Sequence, residues 1–92
     1  MFCVIAFDIV DDRTRYRVVK ELKAVAERVQ KSVFECADLD EKRFLHLKRR
    51  LEKLIDVGED GIRYYFLCQG CVQRIEISGV GVVVENRQYK IV

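Results

Sequence analysis

Ninety-two residues, half of them apolar and about a third charged, suffice for one domain with a modest core and are too few for two. Seventeen Lys and Arg against fifteen Asp and Glu leave a net charge of +2, which excludes a strongly basic tail but allows local basic patches. The longest apolar stretch, residues 1–7, is far too short to span a membrane and has neither the cationic start nor the cleavage site of a signal peptide, so a cytoplasmic protein with no membrane contact is expected.

Residues 2–9 form a strand that is apolar on both faces, which predicts a central position covered twice. Cys3, Ile5 and Phe7 point one way; Phe2, Val4, Ala6 and Asp8 point the other. Asp11 or Asp12 caps a helix running to about Ala26, with Tyr16, Val19, Leu22 and Val25 or Ala26 as its buried stripe. Residues 29–37 read as a second strand. Asp40 caps a second helix that shows Phe44, Leu47, Leu51, Leu54 and Ile55 on one face. Residues 58–61 turn the chain, 62–68 make a third strand and 74–78 a fourth. Gly79 and Gly81 then allow a bend into a short segment, 82–85, and an apolar tail.

Two strand–helix–strand units with right-handed crossovers give an α+β, ferredoxin-like β-α-β-β-α-β sandwich: a four-stranded antiparallel sheet with both helices on one face. The other sheet face carries Phe2, Val4 and Ala6 and needs a cover. A second copy laid sheet to sheet is the simplest cover, giving a homodimer. The single domain is thus expected to span residues 1–92, with segment 80–92 extending the partner's sheet edge.

Asp8 ends this apolar set, at the rim of such an interface. In a two-fold dimer its mate lies nearby, and two facing carboxylates repel unless a cation sits between them. Magnesium suits the place, because it takes one or two carboxylates and keeps several waters. The plainer alternative is a solvated strand-end residue. Asp11 and Asp12 read as helix caps, where the dipole favours anions. Arg13, Arg15, Arg17, Lys20 and Lys23 crowd the first helix, and Arg28 and Lys31 open the second strand. Forked arginine donors suit phosphate, although Glu21, Glu27 and Glu52 are there to pair with these bases. Gln30 and Ser32 have groups that hydrogen-bond a sugar or phosphate, and Phe34 is either a base-stacking platform or a core residue.

Of four cysteines, Cys3 and Cys36 fall in strand-like runs and read as small core residues. "CQGC" (68–71) is a lone C-x-x-C with too few ligands for a structural zinc site. It follows a strand rather than opening a helix, which argues against redox work. The sole histidine, His46, sits mid-helix with no acid or nucleophile at a recognisable spacing.

"FDIVDDRTRYRVV" followed by "ERVQKSVFE" resembles the small CRISPR-associated endoribonuclease family, the lesser subunit of the spacer-acquisition machinery. The likeness runs over nearly the whole chain, to the late "CQGCVQRIEISGVG". It implies a ferredoxin-like homodimer with facing sheets, in which Asp8 of each chain lies near the axis and one Mg2+ is shared across the dimer. Asp8 is then both metal ligand and catalytic residue. Arg15, Arg17, Arg28 and Phe34, with Gln30 and Ser32 held less firmly, fall where nuclease-type members contact nucleic acid. The implied activity is cleavage of single-stranded RNA or duplex DNA alongside the CRISPR integrase. The alternative role is a non-catalytic DNA scaffold bridging integrase dimers. Two departures stand out: Phe7 replaces a frequent tyrosine, removing a hydroxyl, and Ala26 replaces a frequent glycine.

Overall fold

A computed structural model describes residues 1–84. Its first strand, β1 (Phe2–Asp8), is the most buried of the sheet, and the helices that cover it are set by their caps. Asp11, in extended conformation, accepts the Thr14 N–H at 2.8 Å and starts α1 (Asp12–Lys23). Asp40 does the same for Arg43 N–H at 2.8 Å and starts α2 (Glu41–Leu54). A carboxylate at this position satisfies an orphan amide and meets the positive end of the helix dipole.

Between the helices the chain makes a hairpin, β2 (Glu27–Gln30) and β3 (Val33–Cys36), with a bulge between Arg28 and Gln30. The single strand expected over 29–37 is therefore two. After α2 come β4 (Gly61–Leu67) and one helical turn, α3 (Gln69–Val72). The four strands lie in the order β2-β3-β1-β4, and every neighbouring pair is antiparallel. This is the ferredoxin-like β-α-β-β-α-β arrangement, reached with a different fourth strand. Residues 74–78 form no strand; the split hairpin supplies it. Residues 80–84 carry no regular structure, and the rest of the tail proposed to reach a partner, 85–92, lies outside the described residues.

The core lies between the helices and one face of the sheet. Cys3, Ile5, Phe7 and Ile9 meet Val18, Val19 and Leu22 from α1 and Leu47 and Leu51 from α2, with Phe34, Cys36 and Leu39 completing it. Helix α1 is rotated from the expected stripe: Tyr16 is 68% exposed and Val18 takes the buried place. The helix also ends at Lys23, leaving Val25 outside it and 44% exposed. Glu21 and Arg50 join the two helices by a bidentate ion pair of 2.7 and 3.0 Å. On β4, Tyr64 and Phe66 meet the Phe44 ring edge to face, at centroid distances of 5.2 and 4.8 Å. Among the described residues no helix is long and apolar enough to cross a membrane.

Candidate metal and nucleic-acid site

Asp8 closes β1 on the face that the helices leave open, and its side chain is exposed. Its register partner on β4 is Gly61, where even an added Cβ would meet nothing within 4 Å. The carboxylate thus stands in open space on that flank. It belongs to none of the ion pairs among the described residues, and no group of three or more metal-ligating side chains gathers there. One hard oxygen donor with room for waters fits magnesium as a partial ligand set, and leaves the remaining positions to water, phosphate or a second carboxylate from outside the chain.

Along the same face, Val4 and Ala6 are half-buried, and Arg63 and Tyr65 flank them from β4. Val33 and Glu35 flank them from β3. Arg63 donates to the Tyr65 hydroxyl at 3.1 Å. Phe2, counted with this face, is nevertheless buried.

The loop after Asp8 is clamped from both sides. Arg15 pairs with Asp12 at 2.5 Å and donates to the Ile9 carbonyl at 2.7 Å and, more loosely, to the Val10 carbonyl. Asp60, fifty residues away, accepts the Val10 N–H and the Asp56 N–H, each at 3.0 Å. Asp60 was not foreseen from the sequence. Its only local signal is a position in the "DVGED" turn, and the contact that matters is long-range.

The structure redistributes the other expected contacts. Arg28 donates from Nε and Nη2 to the Lys31 carbonyl, at 3.0 and 2.5 Å, and its guanidinium lies 5.9 Å from the Phe34 ring centroid. It therefore holds the β2–β3 turn, and Phe7 N–H reaches the Ser32 carbonyl of that turn at 3.0 Å. Phe34 is 0% exposed. A ring with no accessible face cannot stack on a base, so the expected stacking role is corrected to core packing beneath Arg28. Gln30 is exposed and Ser32 half-buried, both beside the Asp8 end of the sheet. Arg17 is exposed and, among the described residues, in no ion pair, as are Arg13, Lys20, Lys23 and Lys31. Arg43 and Lys48 are engaged with Asp40 and Glu52.

Cys3 and Cys36 face each other across β1 and β3 inside the core, and burial pushes the Cys3 thiol up to about 11. Cys68 and Cys71 are exposed, and contrary to the expectation Cys68 caps a helical turn. His46 is exposed on α2.

Comparison with known proteins adds four findings. The family described as "CRISPR associated protein Cas2" matches residues 1–75. A Chloroflexus aurantiacus protein named CRISPR-associated endoribonuclease Cas2 3 is 49% identical, over 94% of this chain and 91% of its own length. The crystal structure of Streptococcus pyogenes Cas2 superposes with a TM-score of 0.76 at 31% identity, covering 86% of this chain and all of that one. A chain solved in a partial Cas6-RT-Cas1–Cas2 complex shares the fold alone, with a TM-score of 0.72 at 24% identity over 90% of this chain and 98% of the other.

Proposed function

The chain belongs to the CRISPR-associated Cas2 family, and from that premise we propose that it is a divalent-cation-dependent endonuclease of spacer acquisition, cutting single-stranded RNA or duplex DNA. The observation that carries this reading is Asp8: an exposed carboxylate at the end of a core strand, opposite a glycine, on the sheet face no helix covers. A second copy laid on that face would bury Val4 and Ala6 and bring a second Asp8 towards the two-fold axis. Two carboxylates brought together in this way favour a cation between them. The paired Asp8 side chains would hold a magnesium ion, which would supply a Lewis acid for the phosphoryl oxygens and lower the pKa of a bound water.

The chain's own residues position the reaction. Arg15 and Asp60 fix the loop that follows Asp8, so the carboxylate leaves a rigid strand into a rigid turn. Arg28 fixes the neighbouring turn, which presents Gln30 and Ser32. Arg17 and Lys31 remain exposed to neutralise backbone phosphates. Binding of this kind weakens steeply with salt.

A second reading is a non-catalytic scaffold that carries duplex DNA to the integrase. It is favoured by the occurrence of the fold in a chain solved with Cas1. The two readings separate in one experiment: a panel of single- and double-stranded RNA and DNA with Mg2+, using wild type and Asp8→Ala. Cleavage lost in the variant, with duplex binding retained, supports the enzyme. A wild type that binds duplex and cuts nothing in the panel leaves the scaffold.

A further inference from the structure

The "CQGC" stretch lies outside everything assigned above. Cys68 is the N-cap of α3, with φ −71° and ψ 167°, and Cys71 sits within the turn it starts. The turn is closed by Val72 N–H to the Cys68 carbonyl at 3.0 Å and Gln73 N–H to the Gln69 carbonyl at 3.1 Å. Both thiols are free and exposed, in contrast to the buried Cys3 and Cys36. Residues three apart on a helical turn have Cα atoms about 5 Å apart, inside the roughly 4.4–6.8 Å that a disulfide spans. Closing the ring then needs the two Cβ atoms to draw in to about 3.5–4.5 Å. Gly70 adds no side chain between them; a Cβ there would lie 3.9 Å from the Cys68 sulfur.

The place in the chain matters too. β4 is an edge strand, and β3 lies on the far side of β1. The segment that follows α3 crosses from one to the other, passes Gly79 and Gly81 at positive φ of 88° and 146°, and puts the Val84 N–H 3.4 Å from Glu35 Oε1 on β3. The C-x-x-C pair is the pivot at which this crossing begins.

We propose that Cys68 and Cys71 form a reversible dithiol–disulfide centre at this pivot, oxidised by low-molecular-weight disulfides. Cys68 is the attacking thiol. Its pKa is lowered, chiefly by the neighbouring Cys71 amide and thiol, while the Cys71 thiol is raised by the nearness of the Cys68 sulfur and its charge. The thiolate of Cys68 attacks one sulfur of a disulfide RSSR; the S–S bond breaks, and RS⁻ leaves and takes up a proton. Cys71 loses its proton to solvent and attacks the Cys68 sulfur of the mixed disulfide, expelling the second RS⁻. The protein gives up two electrons and two protons, and RSSR becomes two RSH.

The test is incubation of the native protein with oxidised glutathione, read by intact mass and by alkylation with iodoacetamide. Wild type is expected to become two hydrogens lighter and to lose its two exposed reactive thiols, with recovery on adding a reductant. Alkylation after denaturation then still finds Cys3 and Cys36. Cys71→Ser is expected to stop at the mixed disulfide, one glutathione heavier. Cys68→Ser is expected to react more slowly than Cys71→Ser. A wild type that stops at the mixed disulfide, or cross-links between chains, overturns the proposal. So does a pair that binds added zinc tightly and resists oxidation, which would make it half of a shared metal site.

Discussion

The two faces of β1 have the same chemistry in sequence and different fates in the structure. Cys3, Ile5 and Phe7 are sealed under α1 and α2, with Cys3 and Ile5 at 0% exposure. Their alternates, Val4 and Ala6, are half-buried, and the set ends on exposed Asp8. One chain of this length can build a single helix layer, so it covers one face only. An apolar face that a chain cannot cover by itself is a surface for another molecule. The covered face makes the fold, and the open face carries the proposed site.

Phe34→Ala tests the covered face and should have the largest effect. Its ring is fully buried beneath Arg28, and truncation costs about 3–5 kcal/mol. A domain this small has about 5–15 kcal/mol in total, so the variant should melt far below wild type by circular dichroism and lose nucleic-acid binding only as it unfolds. A variant that keeps its midpoint and loses binding would restore Phe34 to the interface. Asp8→Ala is the counterpart on the open face. It should remove cleavage to below detection and change stability by less than about 0.5 kcal/mol, since it deletes an exposed group that makes no ion pair among the described residues.

Val4→Lys then asks whether a second copy covers the open face. Sedimentation should show a monomer where wild type sediments as a dimer, and the wild-type dependence of melting on protein concentration should vanish. An unchanged dimer would place the interface elsewhere. Asp60→Asn should act more gently. An amide in its place accepts one N–H but turns a donor towards the other, so one of two hydrogen bonds is lost, worth about 0.5–1.5 kcal/mol. The Val10 or Asp56 amide should exchange faster in deuterium, and cleavage should fall by less than in Asp8→Ala.

Much of the covered face was legible in advance because local rules govern it. Asp11 and Asp40 each precede an amphipathic run, and each caps it. Asp8 was legible as an anomaly, a charge ending an apolar strand. The hairpin was not legible, because the turn at Lys31 and Ser32 contains no Gly, Asn or Pro. It is stapled by the Arg28 guanidinium on the Lys31 carbonyl, a contact with no signature in composition. The alternation of Ile75 and Ile77 looked like a strand, but alternation only becomes a strand beside a partner, and no described strand pairs with it. Phe34 carried the right residue type for stacking, but only the register against β1 decided which way its ring faced. The Asp60 clamp depends on a neighbour fifty residues off, beyond any spacing rule.

The smallest expected effect lies in the helix layer and appears only in acid. Backbone N–H donors, from Thr14 to Asp11 and from Arg43 to Asp40, lower both carboxyl pKa values below 3.8 in the folded chain. The unfolded chain keeps the ordinary value, so over this interval it binds more protons than the folded one. The caps' contribution is therefore complete above about pH 4 and is lost as pH falls through the lowered folded values. Glu21 behaves likewise from 4.5, through the Arg50 hydrogen bond. An asparagine accepts the same amide at any pH. The double variant Asp11→Asn, Asp40→Asn should then show a urea midpoint that declines less steeply than wild type below pH 4, with the Glu21 part of the slope remaining. Asp11 and Asp40 are exposed, Glu21 partly so, and all three are screened, so the difference is one of slope rather than of collapse. An identical acid limb in the variant would move the acid sensitivity away from the helix caps, and with it this distinction between the two faces.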